Sequence, residues 1–205
     1  MKRDQRPALG AVVLVAGKSS RMGRNKILLK FGASTVLQTI VETVKECELS
    51  DVVYVTGHEA EEVESVLALN GQRFIRNREY ETGLHSSIKA GLRELDSGLD
   101  GFFVFLGDQP DLHRSTVRDL SAAFTANKDH SLFAPEFNGE RGHPVLISMK
   151  HKTQIMETSG GDRGCHYLFQ RYPDEVFKIN AQSELRDIDT LEDYRRVTGE
   201  LDFGS

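Results

Sequence analysis

The sequence predicts a single α/β domain built on an open, mostly parallel sheet. Two observations carry this. Short apolar runs rich in Val and Phe alternate with longer segments of helical periodicity up to about residue 127. The length of 205 residues suits one domain and is short for two.

The elements follow in order. Gly10 to Ala16 (GAVVLVA), Asp51 to Thr56 (DVVYVT) and Gly101 to Leu106 (GFFVFL) are continuous apolar runs, the pattern of strands covered on both faces. Leu37, Ile40, Val41, Val44 and Cys47 form one helical stripe, with Ser34 expected to cap it. The same spacing recurs at Val63, Val66 and Leu67, at Ile88, Leu92 and Leu95, and at Val117, Leu120 and Phe124. Leu132 to Phe137, an Asn138-Gly139 turn, and Pro144 to Ser148 predict a hairpin-like excursion on the same sheet. A helix is expected after Asp162, short strands at Val176 to Ile179 and Leu185 to Ile188, and a last helix near 191 to 198 behind the capping box that opens at Thr190. The expected division is a tail at 1–9, one domain at 10–199 and a tail at 200–205.

Composition narrows the function. Hydrophobic residues are 39% and charged residues 28%, as in ordinary globular proteins, and the net charge of -5 argues against a nucleic-acid partner. No apolar stretch approaches the ~20 residues that span a bilayer, and Met1 to Leu9 leads into no signal-type apolar region, so a cytoplasmic protein without a membrane partner is expected. Cys47 and Cys165 are the only cysteines and form no CxxC, which indicates neither a disulfide framework nor a structural zinc site.

Against the acidic background, Lys18, Arg21, Arg24, Lys26 and Lys30 cluster in and after a small-residue loop that follows the first strand. Ligands of open α/β sheets lie beyond the carboxyl ends of the strands, where this loop falls. It is not a Walker A motif, since five residues separate Gly17 from Gly23 and Arg24 follows, and it is not GxGxxG. Ala16 and Gly17 permit close backbone approach, Ser19 and Ser20 offer hydroxyls, and Arg21 and Lys26 can reach phosphate oxygens. Taken alone, the loop reads equally as an anion cradle or as a solvated basic segment.

The string A-G-x-S-S-R-M-G-x-x-K from Ala16 to Lys26 resembles the signature loop of the molybdenum cofactor nucleotidyltransferases. The resemblance implies a Rossmann-like nucleotidyltransferase fold whose loop wraps a nucleoside triphosphate, with Arg21 and Lys26 neutralising its phosphates. Such sites hold Mg²⁺ through one or two carboxylates. Asp108, in Leu106-Gly107-Asp108-Gln109-Pro110, follows a buried strand and resembles the family's G-D-x-P metal segment; the competing role is a bond to its own turn. Asp187 and Asp189 share one face of a strand, and D-I-D-T-x-E-D resembles the closing segment near the metal, with Asp189 the expected ligand and Asp187 the competing one; Asp189 reads equally as stabilising the turn before Thr190.

Further segments extend the resemblance from Ala11 to about Val197. Gly83, Ser86 and Ser87 match the nucleotide-binding string G-x-x-S-S-x-x-A-G-L, within which His85 receives no role. R-G-H-P-V-L places His143 toward the acceptor, and G-G-D-x-G places Asp162 and Gly164 beside a pterin, Asp162 being also a candidate helix cap. Cys165 and His166 are helical neighbours that point apart and form no nucleophile pair, and Cys47 is expected in the core.

The reaction implied is Mg²⁺-dependent transfer of CMP from CTP to the terminal phosphate of molybdenum-loaded molybdopterin, with release of pyrophosphate. Val15-Ala16-Gly17 is nearer the A-A-G of cytidylyl members than the A-G-G of guanylyl members, which also carry D-K where this chain has Asn25-Lys26. GTP is the nearest competing nucleotide. A client hydroxylase of the xanthine dehydrogenase type is implied as partner. A sugar-phosphate acceptor and a non-catalytic cofactor carrier also stay open, the carrier disfavoured by the joint presence of Arg21, Lys26 and Asp108.

Overall fold

The computed structural model describes residues 6–18, 25–158, 161–181 and 190–198. Its sheet strands are β1 (Leu9–Val15), the hairpin pair β2 (Lys30–Phe31) and β3 (Ser34–Thr35), β4 (Asp51–Thr56), β5 (Phe74–Arg76), β6 (Gly101–Leu106), β7 (Leu132–Phe137), β8 (Glu140–Arg141), β9 (Val145–Ser148) and β10 (Val176–Asn180). The helices are α1 (Val36–Glu46), α2 (Ala60–Leu69), α3 (Leu84–Glu94), α4 (Arg114–Ala126), α5 (Lys152–Glu157), α6 (His166–Arg171) and α7 (Leu191–Thr198).

The main sheet runs β10-β7-β9-β6-β1-β4-β5, with β8 paired to β7. β1 is parallel to both β4 and β6, while β9 is antiparallel to β6 and β7. The excursion after residue 130 therefore extends the same sheet, as expected. Asn138 and Gly139 both have positive φ, 51° and 86°, and turn the chain tightly between β7 and β8.

Every residue of β1 is buried, because alternate side chains enter two cores. Ala11, Val13 and Val15 pack with α1, α2 and α4; Val12 and Leu14 pack with α3, α5 and α6. This explains the continuous apolar runs: a strand between two helical layers has no solvent face. No described helix is long and apolar enough to cross a membrane.

Three local expectations change. Thr35, not Ser34, caps α1: its Oγ1 accepts from Gln38 N at 3.2 Å and Gln38 Oε1 accepts from Thr35 N at 2.9 Å. Ser34 is held opposite Phe31 in the β2–β3 hairpin. Asp162 caps no α-helix, because it lies in a 3-10 turn at Gly161–Arg163 and α6 begins only at His166. β1 begins at Leu9, and Ala8 N already donates to Asp100 Oδ2, so the sheet starts one residue before the expected boundary. The final capping box forms, Asp193 N donating to Thr190 Oγ1 at 3.1 Å. The strand expected at 185–188 lies outside the described residues.

Candidate active site

The carboxyl ends of β1 and β6 are adjacent, and the turns leaving them make one wall of a cleft. Gly107 N donates to Leu14 O at 2.9 Å, and a Cβ on Gly107 would fall 2.6 Å from Val15 Cγ1. Only glycine lets this turn lie against β1. The next residue, Asp108, thereby projects over the end of β1.

Lys26 opens a 3-10 turn at Lys26–Leu28 and places Nζ 2.6 Å from Asp108 Oδ2. The two side chains are only 12% and 22% exposed, so solvent screens the pair weakly. Asp108 Oδ1 is buried without a hydrogen-bond partner and accepts from no turn amide. A turn-stabilising role therefore does not account for Asp108, and a buried orphan carboxylate oxygen is a costly group that a ligand can satisfy.

The opposite wall comes from the start of α3. Gly83 has φ of 111°, and a Cβ there would meet Gly161 C at 2.5 Å and Asp162 N at 2.7 Å. Gly83 is also the N-cap of α3, which places Ser86 and Ser87 inside the first turn and not at the cap. Asn77, 7% exposed, donates from Nδ2 to Ser86 Oγ at 2.9 Å and to Ser87 Oγ at 3.0 Å. Ser86 Oγ donates back to Gly83 O at 2.8 Å, so it fastens the turn, whereas Ser87 borders the cleft. At the mouth Lys18 Nζ lies 2.5 Å from Glu81 Oε1, a hydrogen bond that raises the Lys18 pKa and lowers that of Glu81.

These walls enclose about 370 Å³, bordered by Ala16, Gly17, Lys26, Gly83, Ser87 and Asp108 among others. A second cavity of about 410 Å³ shares Leu84 and Asp162 with it and contains Arg141, His143, His166 and Phe169. Burial first, and the charge of Arg141 second, push the His143 pKa down to about 4, so its ring is neutral near pH 7. Cys165 is 6% exposed and burial pushes its thiol up to about 12, which removes the thiolate a nucleophile needs. Cys47 is half-buried against the core with its thiol raised to about 11 by burial.

The structure thus brings Ala16, Gly17, Lys26, Gly83, Ser87 and Asp108 around one cavity and His143 and Asp162 around the next. Gly164 is buried at φ 51°, its carbonyl 3.1 Å from His85 Nδ1, while His85 Nε2 faces Ile155 O and Thr158 O at 3.0 and 2.9 Å. His85 is a structural tie between α3 and the carbonyls of Ile155, Thr158 and Gly164. Ser19, Ser20, Arg21, Asp187 and Asp189 lie outside the described residues. Sequence reasoning missed Asn77, which carries no motif, and Arg141, which stood inside R-G-H-P without being singled out.

Known proteins share this architecture. The model of the MobA-like NTP transferase domain matches residues 11–176. The molybdenum cofactor cytidylyltransferase of Escherichia coli (strain K12) is 28% identical over 91% of this chain and 94% of its own length. Nicotine blue oxidoreductase of Paenarthrobacter nicotinovorans is also 28% identical, over 93% and 97%. The crystal structure of an Rv0371c homolog from mycobacterium sp. strain JC1 superimposes with a TM-score of 0.83 at 28% identity, covering 96% of this chain and 98% of that one. The chain belongs to the MobA-like NTP transferase domain family and is a nucleotidyltransferase of that type.

Proposed function

We propose that the protein moves CMP from CTP to the terminal phosphate of molybdenum-loaded molybdopterin, releasing pyrophosphate. The observation that carries this is the pair of cavities sharing Leu84 and Asp162: one lined by the Lys26–Asp108 pair, the other abutting it as an acceptor site. Each has a volume in the small-molecule range. The E. coli relative, named for this activity, supports the choice of base and acceptor.

The residues present suit Mg²⁺. Asp108 offers a hard carboxylate with one buried, unpartnered oxygen, and Mg²⁺ is commonly held by one or two carboxylates together with substrate phosphates. When bound there, the ion would supply charge neutralisation across the phosphates.

In the transfer, an oxygen of the acceptor phosphate forms a bond to the α-phosphorus of CTP as the bond from that phosphorus to the bridging oxygen breaks, and pyrophosphate departs. Lys26 donates N–H to phosphate oxygens on which charge builds, and Arg21 is the second cation supplied by the motif. Ser87 and the amides around Gly17 orient the nucleotide. No protein group becomes covalently attached. Delivery of the product to a hydroxylase of the xanthine dehydrogenase type belongs to the same reading.

The test is pyrophosphate release by the purified protein with Mg²⁺ and molybdenum-loaded molybdopterin, comparing CTP, GTP and ATP. Release with CTP in preference to the others is expected; preference for GTP would assign the guanylyl reaction. Release only when a sugar phosphate replaces the pterin would move the acceptor. Absence of release with every triphosphate would overturn the reading in favour of a carrier or of the redox chemistry named in the Paenarthrobacter relative.

A further inference from the structure

The second cavity holds an unbalanced cation. Arg141 is half-buried, its guanidinium lies 4.0 Å from the centroid of the Phe169 ring, and its Nη2 donates to His166 Nδ1. Among the described residues no carboxylate lies within ion-pair distance of Arg141 or of Arg163, which lines the same cavity. The one acid among the described lining residues is Asp162, exposed at the rim.

A guanidinium withdrawn from water without a counter-ion is unfavourable, and proteins usually keep one where an anion compensates it. The stacked ring restricts the rotation of the Arg141 fork, and a fixed fork matches the two oxygens of a carboxylate or phosphate. His166 accepts from Arg141 at Nδ1, which leaves Nε2 to carry the ring's N–H as a further donor. Burial lowers the pKa of Arg141, and the histidines beside it are lowered too, first by burial and then by Arg141 itself. All three shifts are those of a positive, partly dry pocket.

We propose that this cavity binds an oxyanion, of the phosphate or carboxylate class, through Arg141 supported by Arg163 and His166. The group is separate from the phosphate that reaches Asp108, because Leu84 and Asp162 stand between the two cavities. That the oxyanion is carried by the acceptor rests on the transferase reading above; the anion site itself does not.

The experiment is a titration of the ¹⁵N-labelled full chain with inorganic phosphate and, separately, with acetate, following the Arg141 Nε–H and His166 ring signals. Saturable shifts at both residues are expected. Tighter phosphate binding identifies a phosphate group, tighter acetate binding a carboxylate. Read at the His166 ring, which stays observable in every variant, the shifts should vanish in Arg141→Met, require about tenfold or more anion in Arg141→Lys, and persist in Lys26→Met, whose substitution lies in the other cavity. Absence of saturable shifts with both anions, or shifts undiminished in both Arg141 variants, would overturn the proposal. Titration with CTP and Mg²⁺ separates the two readings, since failure of CTP to perturb signals around Lys26 would count against the transferase site while leaving the anion shifts to be judged alone.

Discussion

Lys26 Nζ rests 2.6 Å from Asp108 Oδ2 at the carboxyl end of β1, while the other Asp108 oxygen is buried and unpartnered. The cation comes from the loop after β1 and the anion from the turn after β6, 82 positions apart in the chain. On the proposed reading, a phosphate at Lys26 and a metal ion at Asp108 would each redistribute the other's charge. The two residues should behave as one unit.

Asp108→Asn keeps the shape and removes the charge. Pyrophosphate release should fall on the order of 100-fold or more, with the far-ultraviolet circular dichroism spectrum unchanged. In a double-mutant cycle with Lys26→Met, the double variant should lose less than the product of the two single losses. Strict multiplication of the losses would show that the two do not act together.

Gly83→Ala should destabilise the protein by more than about 1 kcal/mol in urea unfolding, since the left-handed backbone there is combined with contacts under 3 Å to Gly161 and Asp162. Gly71→Ala is the control. Gly71 also has positive φ, 65°, but a Cβ there meets nothing within 4 Å, so its loss should be smaller. Equal losses would mean that close approach at Gly83 contributes nothing.

Asn77→Ala removes the amide that joins the Ser86 and Ser87 hydroxyls and the Oδ1 that accepts from Glu79 N at 3.0 Å. Stability should fall by about 1–3 kcal/mol, and the KM for the nucleoside triphosphate should rise more than kcat falls. An unchanged KM would detach Ser87 from nucleotide binding.

His143 gives a pH prediction. Its folded pKa is pushed down to about 4 from 6.5, so as pH falls below 6.5 the unfolded chain takes up a proton that the folded chain refuses. Its contribution is therefore fully present above pH 6.5 and is lost progressively toward pH 4. His151 and His166 are shifted in the same direction. His143→Gln should flatten the stability profile between pH 6.5 and 4 without abolishing the slope; an unchanged slope would place His143 in contact with water.

The strands β1, β4 and β6 were legible because each is covered on both faces, and burial writes itself into a continuous run of Val, Phe and Leu. The small-residue loop, Asp108 and the α3 serines were legible as motifs. Cap positions were not: Ser34 and Thr35 are chemically alike and both lie in β3, and it is the start of α1 at Val36 that makes Thr35 the cap. Ser86 and Ser87 looked equivalent until Gly83 proved to be the N-cap, turning one hydroxyl into the turn and leaving the other at the cleft.

By itself the sequence determined the layer architecture, the location of the cleft at the strand ends and the small-residue basic loop beside it, because these depend on periodicity and on local strings. Tertiary structure alone decided that Lys26 lies on Asp108, that Asn77 holds the α3 serines, and that Arg141 stacks on Phe169 with no carboxylate beside it among the described residues. Those relations join residues 9 to 82 positions apart, and they are set by how parallel strands and their turns are brought side by side, information that no local pattern carries.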